Sequence, residues 1–131
     1  MNIIEKSKAF LQLIRPELPI SAGICVIVGQ TIASGKLPAL QAMALGFALG
    51  FFLSSSAMIF NDLFDVEVDR INTPGKPIPS GRITKREAIW LGILTAIIAL
   101  VVSLLIHPVL FVLSLLMWGL GFLYNWRAKA S

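Results

Sequence analysis

Four stretches of this chain run the length of a bilayer crossing without a charged residue, and nothing else in the sequence limits its fold as strongly. They extend from about Leu18 to Ser34, Ala39 to Phe60, Ala88 to Ile106 and Val109 to Trp126. A helix crosses the hydrocarbon core with roughly 20 apolar residues, within a range of about 17–25. The first stretch is short by that measure and the second is long. The expected fold is therefore all-α, an integral membrane bundle of four transmembrane helices forming one membrane domain over residues 1–131. The balance of residues agrees: 14% are charged and 56% hydrophobic, against about 25% charged in soluble domains. A globule this small cannot hide so much apolar surface in its own core. No internal repeat, low-complexity segment or linker divides the chain.

The opening "MNIIEKSKAFLQLIRPELPISAG" places a basic segment before an apolar one. A signal peptide would be followed by a cleavage site and a soluble body. Further apolar runs follow instead, so Leu18 onward is expected to be a retained span. Cys25 lies within that run and is expected to be a buried, inert thiol, because no neighbour would lower its pKa. "IHPV" separates the last two runs, which makes His107 a residue of a tight interfacial turn rather than a ligand.

The basic residues give an orientation. Ten of the eleven lysines and arginines fall on one side: Lys6, Lys8, Arg15, Arg70, Lys76, Arg82, Lys85, Arg86, Arg127 and Lys129, with Lys36 alone opposite. The positive-inside rule assigns the crowded side, and with it both termini, to the cytoplasm. Topology thus accounts for the net charge of +4, and nucleic acid is not an expected partner because no recognition motif accompanies the charge.

Local signals punctuate the rest. Thr84 precedes Glu87 in "TKRE", a capping-box spacing that starts the third span. "TPGKPIPSG" excludes regular helix or strand over about residues 71–83, so that loop is either mobile or ordered by other means. Gly46, Gly50 and Ser54 recur at every fourth position and form a small-residue ridge suited to close helix approach.

Directly after the second run comes "NDLFDVEVDR". Continuing the helix at 100° per residue puts Asp62, Asp65 and Asp69 within an arc of about 60°, with Asn61 at its border and Glu67 roughly opposite. Stacked like charges at a helix C-terminus are destabilising unless a cation compensates them. Hard oxygen donors suit Mg²⁺, which takes one or two carboxylates and completes its shell with waters and phosphates. One histidine and one cysteine exclude a zinc site, and the spacing does not fit an EF-hand loop. The basic loop downstream makes a diphosphate site plausible. A solvated acidic helix end, paired with that basic loop, is the alternative.

These residues resemble the UbiA-type intramembrane prenyltransferases. The likeness rests on Asn-Asp, two residues, Asp, three residues, Asp, then "RINTPGKPIPSGRIT", with support from "IRP" at Ile14–Pro16 and "YNWRAK" at Tyr124–Lys129. It covers essentially the whole chain but only the first part of a typical member. The resemblance implies an all-helical enzyme that binds a prenyl diphosphate through Mg²⁺ and transfers the isoprenyl group to a lipophilic acceptor. It makes Asn61, Asp62, Asp65 and Asp69 metal-holding residues, with the three aspartates catalytic. Arg70, Lys76 and Arg82, and with them Arg15 and Lys129, become diphosphate contacts. The loop looks closest to members that build archaeal ether lipids, while quinone and chlorophyll prenyltransferases share much of it.

The family's second aspartate-rich motif has no counterpart, since no aspartate follows Asp69. The expected reading is part of a longer enzyme. A site assembled by two chains and an inactive chain are the others. Outside catalysis, a membrane assembly module that self-associates through the Gly46–Gly50–Ser54 ridge remains open. A half-size transporter finds less support, because no span carries an internal charge.

Overall fold

The computed structural model describes residues 2–130, with side chains through residue 127. Six helices succeed one another: α1 (Ile3–Ile14), α2 (Glu17–Ser34), α3 (Leu40–Phe64), α4 (Val66–Asn72), α5 (Lys85–Ile106) and α6 (Pro108–Ala130). Among the described residues there is no strand. Helices α2, α3, α5 and α6 are long and apolar enough to cross a membrane. Their outward faces expose Ile24, Val28, Ile97, Leu104, Leu116 and Leu120, which is what helices that meet lipid present.

Helix α3 is the hub, packing against α1, α2, α5 and α6. Its glycines explain how closely α2 approaches. A Cβ on Gly50 would lie 2.8 Å from the Ala22 carbonyl oxygen and 2.9 Å from the Gly23 Cα, so backbone meets backbone there. A Cβ on Gly46 would meet only the Gln30 side chain, at 2.6 Å. The ridge is therefore used within the chain, with Gly46 and Gly50 turned to α2. On another face of α3, a polar junction joins three helices. Ser56 donates to the Gly92 carbonyl of α5 at 3.0 Å, and the Trp118 indole of α6 donates to Ser56 at 2.9 Å.

The capping box at α5 forms as the spacing predicts, with Thr84 accepting from the Glu87 amide and Glu87 from the Thr84 amide. His107 terminates α5, and its Nδ1 accepts from the Val109 amide at the start of α6. Two expectations change. Cys25 is exposed on α2 rather than buried in the protein. Hydropathy cannot separate a lipid-facing position from a core one, because lipid tails are as apolar as a protein interior. Helix α1 is an element that the reading of apolar runs lacks. Asn2 caps its start by accepting from the Glu5 amide, and its buried Ala9 and Leu13 dock on the polar end of the bundle.

The loop from 73 to 84 is ordered without regular structure. Ile78 and Ile83 are buried with Ala9, Leu13, Ile59, Val66 and Ala88 in one apolar cluster. Arg82 braces the segment by donating to the Gly75 carbonyl at 2.6 Å and to Ser80, and by reaching Gln12 of α1. Lys6 ties the same segment down through the Arg82 carbonyl and Glu87.

Candidate functional site

The site lies where α3 passes into α4. The two helices are divided at Asp65, yet the helical hydrogen bonds continue through the joint. The amides of Asp65, Asp69 and Thr73 donate to the carbonyls of Asn61, Asp65 and Asp69 respectively. Helical phase is thereby kept, so Asp62 and Asp69 turn inward together while Glu67 turns out. Asp62 is only 3% exposed, whereas the Glu67 side chain is 74% exposed and pairs with Arg70 at 2.8 Å.

Buried carboxylates need partners, and both of these have cationic ones. The Arg15 guanidinium donates to Asp62 Oδ1 at 3.1 Å. Lys76, from the ordered loop, stands 3.2 Å from Asp69 Oδ2 and 3.6 Å from Asp62 Oδ1, so one ammonium serves both acids. Thr73 donates its hydroxyl to the other oxygen of Asp69 at 2.9 Å. Arg15 reaches Asp62 from an unusual backbone. At φ 54° it is the one non-glycine residue with positive φ among those described, and it closes α1 while Pro16 opens the turn into α2. A left-handed residue with a Cβ is strained, and such strain persists where the surroundings over-determine it.

The expected site residues thus divide. Asp62, Asp69, Arg15 and Lys76 come together. Asn61 and Asp65 flank them, half-buried, at the end of α3 and at the joint. Arg70 sits on the outer side with Glu67, and Arg82 acts as the brace of the loop. The side chain of Lys129 lies outside the described residues. Among the described residues no three acidic, histidine or cysteine side chains group as a metal cage. What is present is a pair of carboxylates converging on one cation. This donor set fits Mg²⁺, whose sites use one or two carboxylates and leave the remaining positions to water and phosphate. Sequence reasoning gives Arg15 a minor place; only the fold shows it beside Asp62.

Two residues before Asp62 on α3, Phe60 begins the wall of an apolar cavity of about 320 Å³ between α2, α3 and α6. Phe60, Trp118 and Phe122 line it with mutually packed rings at centroid distances of 5.5–5.6 Å. Asn125 and Ser54 are its polar members, and Gly50 and Ala22 lie farther from the acids. A strongly polar end beside an apolar hollow suits an amphiphile with an anionic head and a hydrocarbon tail.

Comparison with known proteins points the same way. Residues 22–131 match the UbiA prenyltransferase family. The digeranylgeranylglyceryl phosphate synthase of Pyrococcus horikoshii is 39% identical over 122 residues, which is 93% of this chain and 44% of that protein. The synthase of Methanocaldococcus jannaschii is 39% identical over 105 residues, 79% of this chain and 37% of its own length. A solved structure concerned with digeranylgeranylglyceryl phosphate synthase in membranes superposes with a TM-score of 0.91 at 35% identity, covering 95% of this chain and 45% of that one. The chain spans less than half the length of these relatives. It is an integral membrane protein and belongs to the UbiA prenyltransferase family.

Proposed function

We propose that this chain provides the metal- and diphosphate-holding part of an intramembrane prenyltransferase, which moves an isoprenyl group from an allylic diphosphate to a lipophilic acceptor. The observation that carries it is the juxtaposition of Asp62, Asp69, Arg15 and Lys76 with the apolar cavity that begins at Phe60. A prenyl diphosphate divides in the same way, into a charged head and an apolar tail.

In the reaction the allylic carbon–oxygen bond breaks and its electron pair leaves with the diphosphate. The acceptor supplies the pair for the new bond to that carbon and sheds a proton. Arg15 and Lys76 are cations at the site that stabilise the charge accumulating on the leaving group. Asp62 and Asp69, with Asn61 and Asp65 beside them, would hold Mg²⁺, which when bound supplies further charge stabilisation to the diphosphate oxygens. Phe60, Trp118 and Phe122 exclude water from the hydrocarbon part. Arg82 acts on the site indirectly, by holding the loop that delivers Lys76. The relatives' names favour a geranylgeranyl donor and a phosphate-bearing glyceryl lipid as acceptor, as in archaeal ether-lipid synthesis. In the membrane, the site and both termini face the cytoplasm, and residues 1–131 form a single membrane domain.

The test is binding of a labelled, non-ionising geranylgeranyl thiodiphosphate to the full chain in lipid nanodiscs, with and without Mg²⁺. Binding should require Mg²⁺ and fall sharply in Asp62→Asn, Asp65→Asn and Asp69→Asn. Undiminished binding in those variants would refute the site, and binding indifferent to Mg²⁺ would refute the metal.

A further inference from the structure

The placement of Lys76 raises a question that prenyl transfer alone does not answer. Its ammonium lies within 3.6 Å of both inward carboxylates, the place that a divalent ion shared by the two would take. We infer that Lys76 is a tethered counter-ion that fills the metal position between Asp62 and Asp69 until diphosphate arrives, and so couples the binding of metal to the binding of diphosphate. This rests on the proposed function and adds to it the order in which the site is filled.

The two occupants exclude one another. An ammonium and a divalent cation in contact with the same two carboxylates would lie close enough to repel each other strongly. Arg15 poses no such conflict. It shares Asp62 Oδ1 with Lys76 but, unlike Lys76, makes no ion pair with Asp69 among the described residues, and a carboxylate has capacity for several partners. On Asp69 the oxygens are divided, Thr73 holding the one that Lys76 leaves to it. Lys76 is thus the group that has to move.

It can do so without unfolding the loop. The backbone beside it is fixed on both sides, with the Lys76 amide donating to Thr73 and its carbonyl accepting from Ser80. Buried Ile78 and Ile83 anchor the rest of the loop. Only the flexible four-carbon stem has to swing, and lysine combines such a stem with a compact charge. A diphosphate gives the ammonium a new anionic partner, which frees the carboxylates for the metal. By linkage each ligand then strengthens the other.

The test uses Mn²⁺ as the metal probe, followed by electron paramagnetic resonance of the free ion, on the full chain in detergent. Methylenediphosphonate serves as the diphosphate probe, with its own chelation of Mn²⁺ subtracted. Without diphosphonate, Lys76→Met should bind Mn²⁺ about tenfold more tightly than the parent chain. Diphosphonate should tighten Mn²⁺ binding to the parent and do so much less in the variant. Lys76→Gln keeps a donor at the carboxylates without the charge, so it should also bind Mn²⁺ more tightly and covers a misfolded Lys76→Met. Equal or weaker Mn²⁺ binding in both variants would overturn the inference while leaving the proposed site intact. Absence of Mn²⁺ binding in every form, or unchanged binding in Asp69→Asn, would overturn the site and the inference together.

Discussion

Replacing Arg15 with glycine sets two effects of this site against each other, and their magnitudes decide the outcome. The left-handed backbone of Arg15, at φ 54°, costs a residue with a Cβ roughly 1–2 kcal/mol. Glycine removes that cost but gains chain entropy in the unfolded state, which takes back about 0.5–1 kcal/mol. The backbone change alone therefore stabilises by about 0.5–1 kcal/mol. Against this stands the bond from the guanidinium to the buried Asp62 carboxylate at 3.1 Å. A hydrogen bond to a charged group contributes about 1.5–3 kcal/mol. The upper figures for a severed buried pair do not apply, because the Arg15 side chain is 31% exposed and Lys76 remains 3.6 Å from the same oxygen. Arg15→Gly should thus destabilise the protein by about 1–2 kcal/mol, and Arg15→Ala by more, since it keeps the strain and loses the pair. Adding Asp62→Asn to Arg15→Gly should restore part of the loss by removing the under-compensated charge. SDS titration in mixed micelles, read by Trp118 fluorescence with Trp90 and Trp126 replaced by phenylalanine, measures all four proteins. If Arg15→Gly is as stable as the parent or more so, the ion pair does not hold this corner and the reasoning fails.

Packing and exposure lead to three further outcomes. Gly50→Ala pushes a Cβ into backbone on α2 and should cost about 1–3 kcal/mol, whereas Gly46→Ala meets only the flexible end of Gln30 and should cost clearly less in the same titration; equal costs would refute the seam. Ser56→Ala leaves the Trp118 indole without its acceptor, while the Gly92 carbonyl keeps the Thr95 hydroxyl, a loss of about 1–3 kcal/mol that should also blue-shift Trp118 emission. Glu67→Gln removes only an exposed pair within α4, worth about 0–1 kcal/mol, and should leave thiodiphosphate binding unchanged.

What the sequence discloses here depends on how far each residue acts. Charge-free runs announce the spans, because a bilayer imposes a length. The spacing of Thr84 and Glu87 announces the start of α5, because the cap closes within one turn. Helical phase alone separates Asp62 and Asp69 from Glu67. Features that need a distant partner stay hidden. Nothing near Arg15 in the chain says that it meets Asp62, and the proline-rich loop looks unstructured until Ile78 and Ile83 are seen under it. Lys76 is legible as a nearby charge, but the two carboxylates it bridges are not. The apolar cavity draws on three helices at once, and no local pattern encodes it.

The position of the apolar cluster has a consequence for how the protein withstands its surroundings. Ala9, Leu13, Ile59, Val66, Ile78, Ile83 and Ala88 gather at the acid-bearing end of the bundle, among α1, α3, α4, the loop and the start of α5. Water is near enough there for its expulsion to drive assembly. Between the spans, where lipid replaces water, the chain relies on close contact at Gly23, Gly50 and Gly92 and on the Ser56 junction, because hydrocarbon gives no such drive. The molecule therefore has two cohesive regimes in series. Urea or a change of temperature acts first on the cap that holds Lys76 in place, while a change of lipid or detergent acts first on the helix seams that shape the cavity.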